Sequence, residues 1–98
     1  EAKNAMQQLA DRDSLTGLAN RRALPGVFRQ AYDTGATLLF FDLNGFKDIS
    51  DSFGHHAGDT CLKLFAQILL ESFRPGASIV RYDGDEFPVV AHAARVRP

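Results

Sequence analysis

An α/β fold, a sandwich of one sheet and flanking helices, is what this chain of 98 residues predicts. Three observations carry the prediction. "ATLLFFD" is a short continuous apolar run between Gly35 and Asp42, which reads as a strand buried on both faces at the centre of a sheet. Cys61, Leu62, Leu64, Phe65, Ile68, Leu69 and Phe73 form one broad stripe at helical spacing. Two apolar runs, "ASIVRY" and "FPVVAHA", flank an Asp-Gly pair, the strongest short-range hairpin signal.

The remaining elements follow in order. Residues 1–12 read as a helix, with Ala2, Met6, Leu9 and Ala10 near one stripe. It either docks on the domain or ends a stalk from an upstream module. "DRDSLTGLANRR" is turn-like, because Asp13, Ser14, Thr16, Gly17 and Asn20 all favour caps and turns. Asn20 is placed to cap a helix from Arg21 to about Tyr32, with Leu24, Val27, Phe28 and Ala31 as its apolar face. Pro25 should kink that helix or delay its start.

After the strand, Phe46, Ile49 and Phe53 have helical spacing, and Gly54 suits the end of that helix. Asp59 is expected to cap the next helix, roughly Thr60 to Phe73. The hairpin is expected to close through a type I′ turn with positive φ at Asp83 and Gly84. Pro88 cannot donate to a ladder, so it should face away from a neighbour's acceptors or sit at a bulge. Ala93 to Pro98 look like the start of another helix.

Composition narrows the function classes. A formal net charge of −1 steers nothing toward nucleic acid or an anionic membrane. The lone Cys61, inside an apolar pattern, reads as a reduced core thiol. The longest apolar run, Leu38 to Phe41, is too short to cross a bilayer, so no direct membrane contact is expected. No signal peptide opens the chain, and the missing initiator Met fits a piece of a longer protein. The expected location is the cytoplasm, including the cytoplasmic part of a membrane-anchored protein.

Chemistry concentrates at two places. If the hairpin pairs with the first strand, Asp42 and the pair Asp85/Glu86 converge at one end of the sheet, where open α/β sheets hold ligands. Converging carboxylates repel unless neutralised, and Mg²⁺ suits one or two carboxylates plus substrate phosphates. Acids at a hairpin tip that are merely solvated remain the plain alternative. Lys47 follows Asn44-Gly45-Phe46, a loop before a helix that could hold a phosphate. The adjacent His55 and His56 do not share one ligand direction, so a transition-metal site there is disfavoured.

"DSLTGLANRR", "FFDLNGFKDISDSFGHHAGD" and "RYDGDEF" stand in an order and at spacings that resemble the GGDEF domain of diguanylate cyclases, from Asp13 to about Ala91. The resemblance implies a linker or signalling helix over 1–12 and a partial GGDEF domain over 13–98, with a sheet like that of nucleotidyl cyclases and polymerase palms. It implies joining of two GTP molecules into cyclic di-GMP by two subunits meeting face to face, as bacterial second-messenger signalling under an upstream sensor module. By position it makes Asp42, Asp85 and the carbonyl of Leu43 ligands of Mg²⁺ (or Mn²⁺), with Glu86 at the same centre. It assigns a phosphate cradle to Gly45, Phe46 and Lys47, guanine contacts to Ser50 and Asp59, and close substrate approach to Gly84. Family members continue with a helix and strands that supply basic residues, which places those elements outside this chain.

Three departures bear on activity. Asp83 stands where the signature has its first glycine. A carboxylate about 6 Å from a phosphate charge costs about 2–3 kcal/mol at an effective dielectric of ~20. Ser50 replaces a guanine-binding asparagine, losing roughly 0.5–1.5 kcal/mol per hydrogen bond. In the Arg-x-x-Asp product-inhibition motif, Arg74 stands but Ala77 replaces the aspartate, so inhibition by that route is not expected. Two readings remain: a diguanylate cyclase, or a degenerate GTP-binding, regulatory or dimerisation module.

Overall fold

The computed structural model describes residues 11–73 and 76–92. The predicted helices over 1–12 and from Ala93 lie essentially outside that range, as does Arg74. Four strands form one sheet: β1 (Ala19–Asn20), β2 (Ala36–Asp42), β3 (Ser78–Arg81) and β4 (Glu86–His92), in the order β1-β3-β4-β2. β1 runs parallel to β3, and the other pairs are antiparallel. Three helices accompany it: α1 (Leu24–Thr34), α2 (Phe46–Phe53) and α3 (His55–Ser72). The α/β class expected from sequence is the observed one.

Side-chain alternation along β2 and β4 divides the sheet into two faces. Leu39 and Phe41 stand opposite Val89 and Phe87, and all four belong to the core cluster with Leu62, Ala66 and Leu69 of α3. Three aromatic contacts knit this layer: Phe65 meets Phe87 at 5.1 Å and Phe41 at 6.2 Å, both edge to face, and Phe73 meets Phe41 at 5.8 Å. Such pairs add about 0.5–1.5 kcal/mol beyond the area they bury.

The opposite face is thinner. Leu24 and Ala31 of α1 are buried, but Leu38 and Phe40 of β2 remain 52% and 56% exposed. β2 is an edge strand among the described residues, so the expectation of burial on both faces is corrected. Phe28, Tyr32, Leu38 and Val90 line an open groove of about 410 Å³ there. On α3, Leu62, Ala66 and Leu69 face the sheet, while Leu64 and Ile68 of the predicted stripe are 60% and 55% exposed. Phe53 of α2 is also exposed.

Pro25 delays α1 rather than kinking it. Asn20 accepts from Arg22 N at 3.0 Å, and Arg21–Ala23 form a single 3-10 turn. The α-helix proper starts at Leu24, so Pro25 falls in the first turn, where its missing N–H is harmless. Gly35 ends α1 with positive φ. α3 starts earlier than expected, at His55, with Gly54 rather than Asp59 before it.

Pro88 sits in central β4, in regular register with β2 and where the ladder to β3 lapses. Ile79 pairs with Val89, yet Asp83 bridges to Glu86: four steps along one arm match three along the other. The β3–β4 ladder lapses opposite the residue that has no N–H to give, and the extra residue lies further along the β3 arm, where Tyr82 N donates to Glu86 O at 2.8 Å while Asp83 bridges to the same Glu86.

Phe87 is fully buried at the centre of the aromatic layer. Phe87→Ala is expected to cost about 3–5 kcal/mol in urea unfolding. Leu64→Ala, on the exposed face of α3, should cost less than about 1 kcal/mol in the same assay.

Candidate functional site

The carboxyl end of β2 and the hairpin turn meet at one place. Asp42 and Glu86 are direct partners in the antiparallel ladder, so their side chains share a face. Leu43 N donates to Asp85 O at 3.2 Å and fastens the following loop to the turn. Asp42, Asp85 and Glu86 thus come together at one end of the sheet, on two neighbouring elements. Among the described residues none of them is ion-paired, and no three carboxylate or imidazole groups converge as a complete metal-binding set. Like charges directly opposite are destabilising. Two carboxylates with remaining positions left to phosphates and water suit Mg²⁺, so the donor set fits the ion.

The turn differs from the expected type I′ geometry. Glu86 N donates to Asp83 O at 2.7 Å, which makes Gly84 and Asp85 the central pair, and neither has positive φ. Aspartate is favoured as the first residue of a type I turn. Asp83 behaves accordingly, its Oδ1 accepting from Gly84 N at 3.0 Å. A Cβ on Gly84 would meet nothing within 4 Å, so no contact among the described residues requires a glycine there.

The loop before α2 turns on Gly45, which has φ 74°. Phe46 N donates to Leu43 O at 3.3 Å, so of the expected cradle one amide is engaged. The amides of Gly45 and Lys47 make no such bond among the described residues. The Phe46 ring packs into the α2–α3 junction. Lys47 Nζ pairs with Asp51 Oδ2 at 3.2 Å on the outer surface of α2. An exposed i,i+4 pair is worth only ~0.3–0.5 kcal/mol, so it yields readily to a phosphate.

Ser50 and Asp59 both stand at the α2–α3 junction. Ser50 Oγ lies 3.4 Å from His55 Nδ1. Asp59 lies exposed on α3, one residue after buried Gly58.

A second feature had no short-range signal in the sequence. Arg81 NH1 donates to Asp13 Oδ1 at 3.1 Å and to Oδ2 at 3.2 Å, while Nε donates to Gly84 O at 2.9 Å. One guanidinium therefore joins the N-terminal turn to the signature turn, across 68 residues of sequence. Asp13 Oδ2 also accepts from Thr16 N and Thr16 Oγ1, each at 2.8 Å. Partial burial pushes the Asp13 pKa upward, but the Thr16 bonds and the Arg81 charge outweigh it and hold the carboxyl below its usual range. Beside this pair, Arg21, Arg22, Arg81, Tyr82 and Asp83 line an open cavity of about 440 Å³. The Arg21 guanidinium lies 4.8 Å from the Tyr82 ring centroid. The doubled Arg21-Arg22 after the capping Asn20, with Arg81 before the turn, was the available clue.

A family model described as diguanylate cyclase, GGDEF domain, matches residues 10–97. This chain belongs to the GGDEF family. Among curated relatives, the cyclic di-GMP phosphodiesterase NbdA of Pseudomonas aeruginosa is 40% identical over 96 residues, covering 92% of this chain and 12% of that protein. The diguanylate cyclase DosC of Escherichia coli is 40% identical over 84 residues, covering 80% of this chain and 18% of that protein. The crystal structure of the diguanylate cyclase SiaD from Pseudomonas aeruginosa, in complex with its activator SiaC, superposes with a TM-score of 0.82 at 29% identity, over 97% of this chain and 39% of that one. The coiled coil and GGDEF domain of DgcB from Caulobacter crescentus, in complex with c-di-GMP, gives 0.81 at 28% identity, over 93% and 51%. The GGDEF chain spans 12% to 26% of the length of such curated relatives. Among its described residues no helix is long and apolar enough to cross a membrane.

Asp13 carries a depressed folded-state pKa, so its contribution is complete above the ordinary carboxylate value of ~3.9 and fades as pH falls below it. Asp13→Asn is therefore expected to cost about 1–3 kcal/mol at neutral pH. It should also flatten the acid limb of stability followed by denaturant midpoints between pH 6 and 3.

Proposed function

We propose that this GGDEF chain is the nucleotide-binding portion of a diguanylate cyclase, taking one GTP with Mg²⁺ and joining it to a second GTP held by another copy. In the reaction each ribose 3′-oxygen bonds to the α-phosphorus of the other GTP. Two pyrophosphates leave, and each hydroxyl proton passes to solvent. The observation that carries the reading is the in-register pairing of Asp42 with Glu86, beside Asp85 on the adjoining turn.

Asp42 and Asp85, with the carbonyl of Leu43, would hold the ion, and Glu86 adds charge at the same centre. Bound there, Mg²⁺ would neutralise the triphosphate and favour the ionised 3′-hydroxyl. Gly45 and Lys47 offer amides to the phosphates, with the Lys47 ammonium after it leaves Asp51. Gly84 keeps the turn low where a nucleotide passes, consistent with a glycine that nothing among the described residues demands. Asp59 accepts from the base. An upstream sensor module and a cytoplasmic location belong to the same proposal.

Ser50 and Asp83 favour a second reading, a GTP-binding regulatory module with little turnover. That a similar domain occurs in a protein named as a phosphodiesterase is in keeping with it. Incubation of the concentrated protein with GTP and Mg²⁺ separates the two. Cyclic di-GMP in the products supports the cyclase. GTP binding without product supports the module.

Asp42→Asn removes one of two opposed carboxylates. It is expected to raise stability without metal by about 0.2–1 kcal/mol in denaturant melts. The same change should abolish the Mg²⁺ dependence of GTP binding in calorimetry. Loss of stability with metal dependence intact would argue against a cation site at Asp42.

A further inference from the structure

Ser50 and His55 face each other across the α2–α3 junction, with Ser50 Oγ 3.4 Å from His55 Nδ1, the long end of a hydrogen bond. The helices are closely packed here: a Cβ on Gly58 would stand 3.3 Å from both Ser50 Oγ and the Phe46 ring. The serine hydroxyl is thus held at the junction, without the reach of a longer amide. The hydroxyl can donate to Nδ1 or accept from it, and in the tautomer where it donates the imidazole carries its proton on Nε2. That nitrogen has no partner among the described residues, and the ring is exposed. Asp59 follows four residues later on α3, so its carboxylate shares the helix face of His55. One face therefore presents a donor and an acceptor, one turn apart.

We propose that His55 is a base-reading residue of this chain, donating from Nε2 to guanine O6 while Asp59 accepts from N1–H and the 2-amino group. This rests on the reading of the site as a GTP site. Guanine presents an acceptor at position 6 beside a donor at N1. Adenine presents a 6-amino donor and an unprotonated N1, so both contacts would turn unfavourable. His55 then supplies the donor that Ser50 cannot extend to the base. Ser50 is the positioning residue, holding the imidazole at the α2–α3 junction with Nε2 turned away from it.

The test compares GTP with 6-thio-GTP, whose sulfur is a much weaker acceptor, by Mg²⁺-dependent binding calorimetry. One neutral hydrogen bond predicts a preference for GTP of roughly three- to tenfold in the parent. His55→Ala should erase that preference, His55→Gln should retain part of it, and Ser50→Ala should reduce it. A merely structural role for His55 would weaken both nucleotides equally and leave their ratio unchanged. An unchanged ratio in His55→Ala, or no preference in the parent, overturns this inference alone. Absence of any GTP binding by the parent overturns the reading of the site, and this inference with it.

Discussion

The seven-residue ladder between β2 and β4 is the constraint on which the rest depends. It runs from Ala36 opposite His92 to Asp42 opposite Glu86. A slip of one residue would turn Phe41 outward and drive Asp42 into the aromatic layer. Magnitudes decide the register. Burying Phe87 against α3 contributes about 1.5–3 kcal/mol, and half-buried Phe41 adds part of the same amount. The repulsion of Asp42 and Glu86 costs about 0.2–1 kcal/mol. Core packing therefore overrides an unfavourable charge pair and holds Asp42 opposite Glu86 in the ladder.

Arg81 supplies the second tie. Its guanidinium is planar and carries donors in fixed directions, so it can serve Asp13 and Gly84 O at once. Both ends of the contact are largely shielded from water, with side chains 18% and 17% exposed. The bulge at Tyr82–Asp83, opposite Glu86, lies directly after Arg81 on the same arm. An extra residue there increases local twist and re-aims the turn that follows. Asp85 and Glu86 are thus positioned from two sides, by the β2 register and by the Arg81 clamp.

Much of this was legible in the residues. The order of strand, helices and hairpin followed from periodicity, and the placing of Asp42 opposite Glu86, at the sheet end that carries the turn, followed from pairing the hairpin with the first strand. What periodicity does not contain is which apolar face finds a partner. Leu38, Phe40, Leu64 and Ile68 are as apolar as their buried neighbours, and only tertiary packing leaves them exposed. The Asp-Gly pattern points to Asp83 and Gly84 as the central pair, and the turn lies one residue further on, at Gly84 and Asp85. The Asp83 side chain, bonded to Gly84 N, makes aspartate the first residue instead. The Asp13–Arg81 contact spans most of the chain, and no local pattern encodes it.

The two unusual residues of the site differ in how the structure accommodates them. Asp83 satisfies the turn through its own carboxylate and lines the cavity shared with Arg21, Arg22 and Arg81. Arg81 is already paired with Asp13, so Arg21 and Arg22 are the guanidiniums that lower the potential of the extra carboxylate, even without a direct ion pair, and its cost toward an anion falls below that of a charge standing alone. Ser50 has no comparable relief. Its hydroxyl is held between Gly58 and His55, and whatever an asparagine would reach must be reached by another side chain or not at all. Of the two departures, Ser50 therefore bears more than Asp83 on the proposed reading of a nucleotide base.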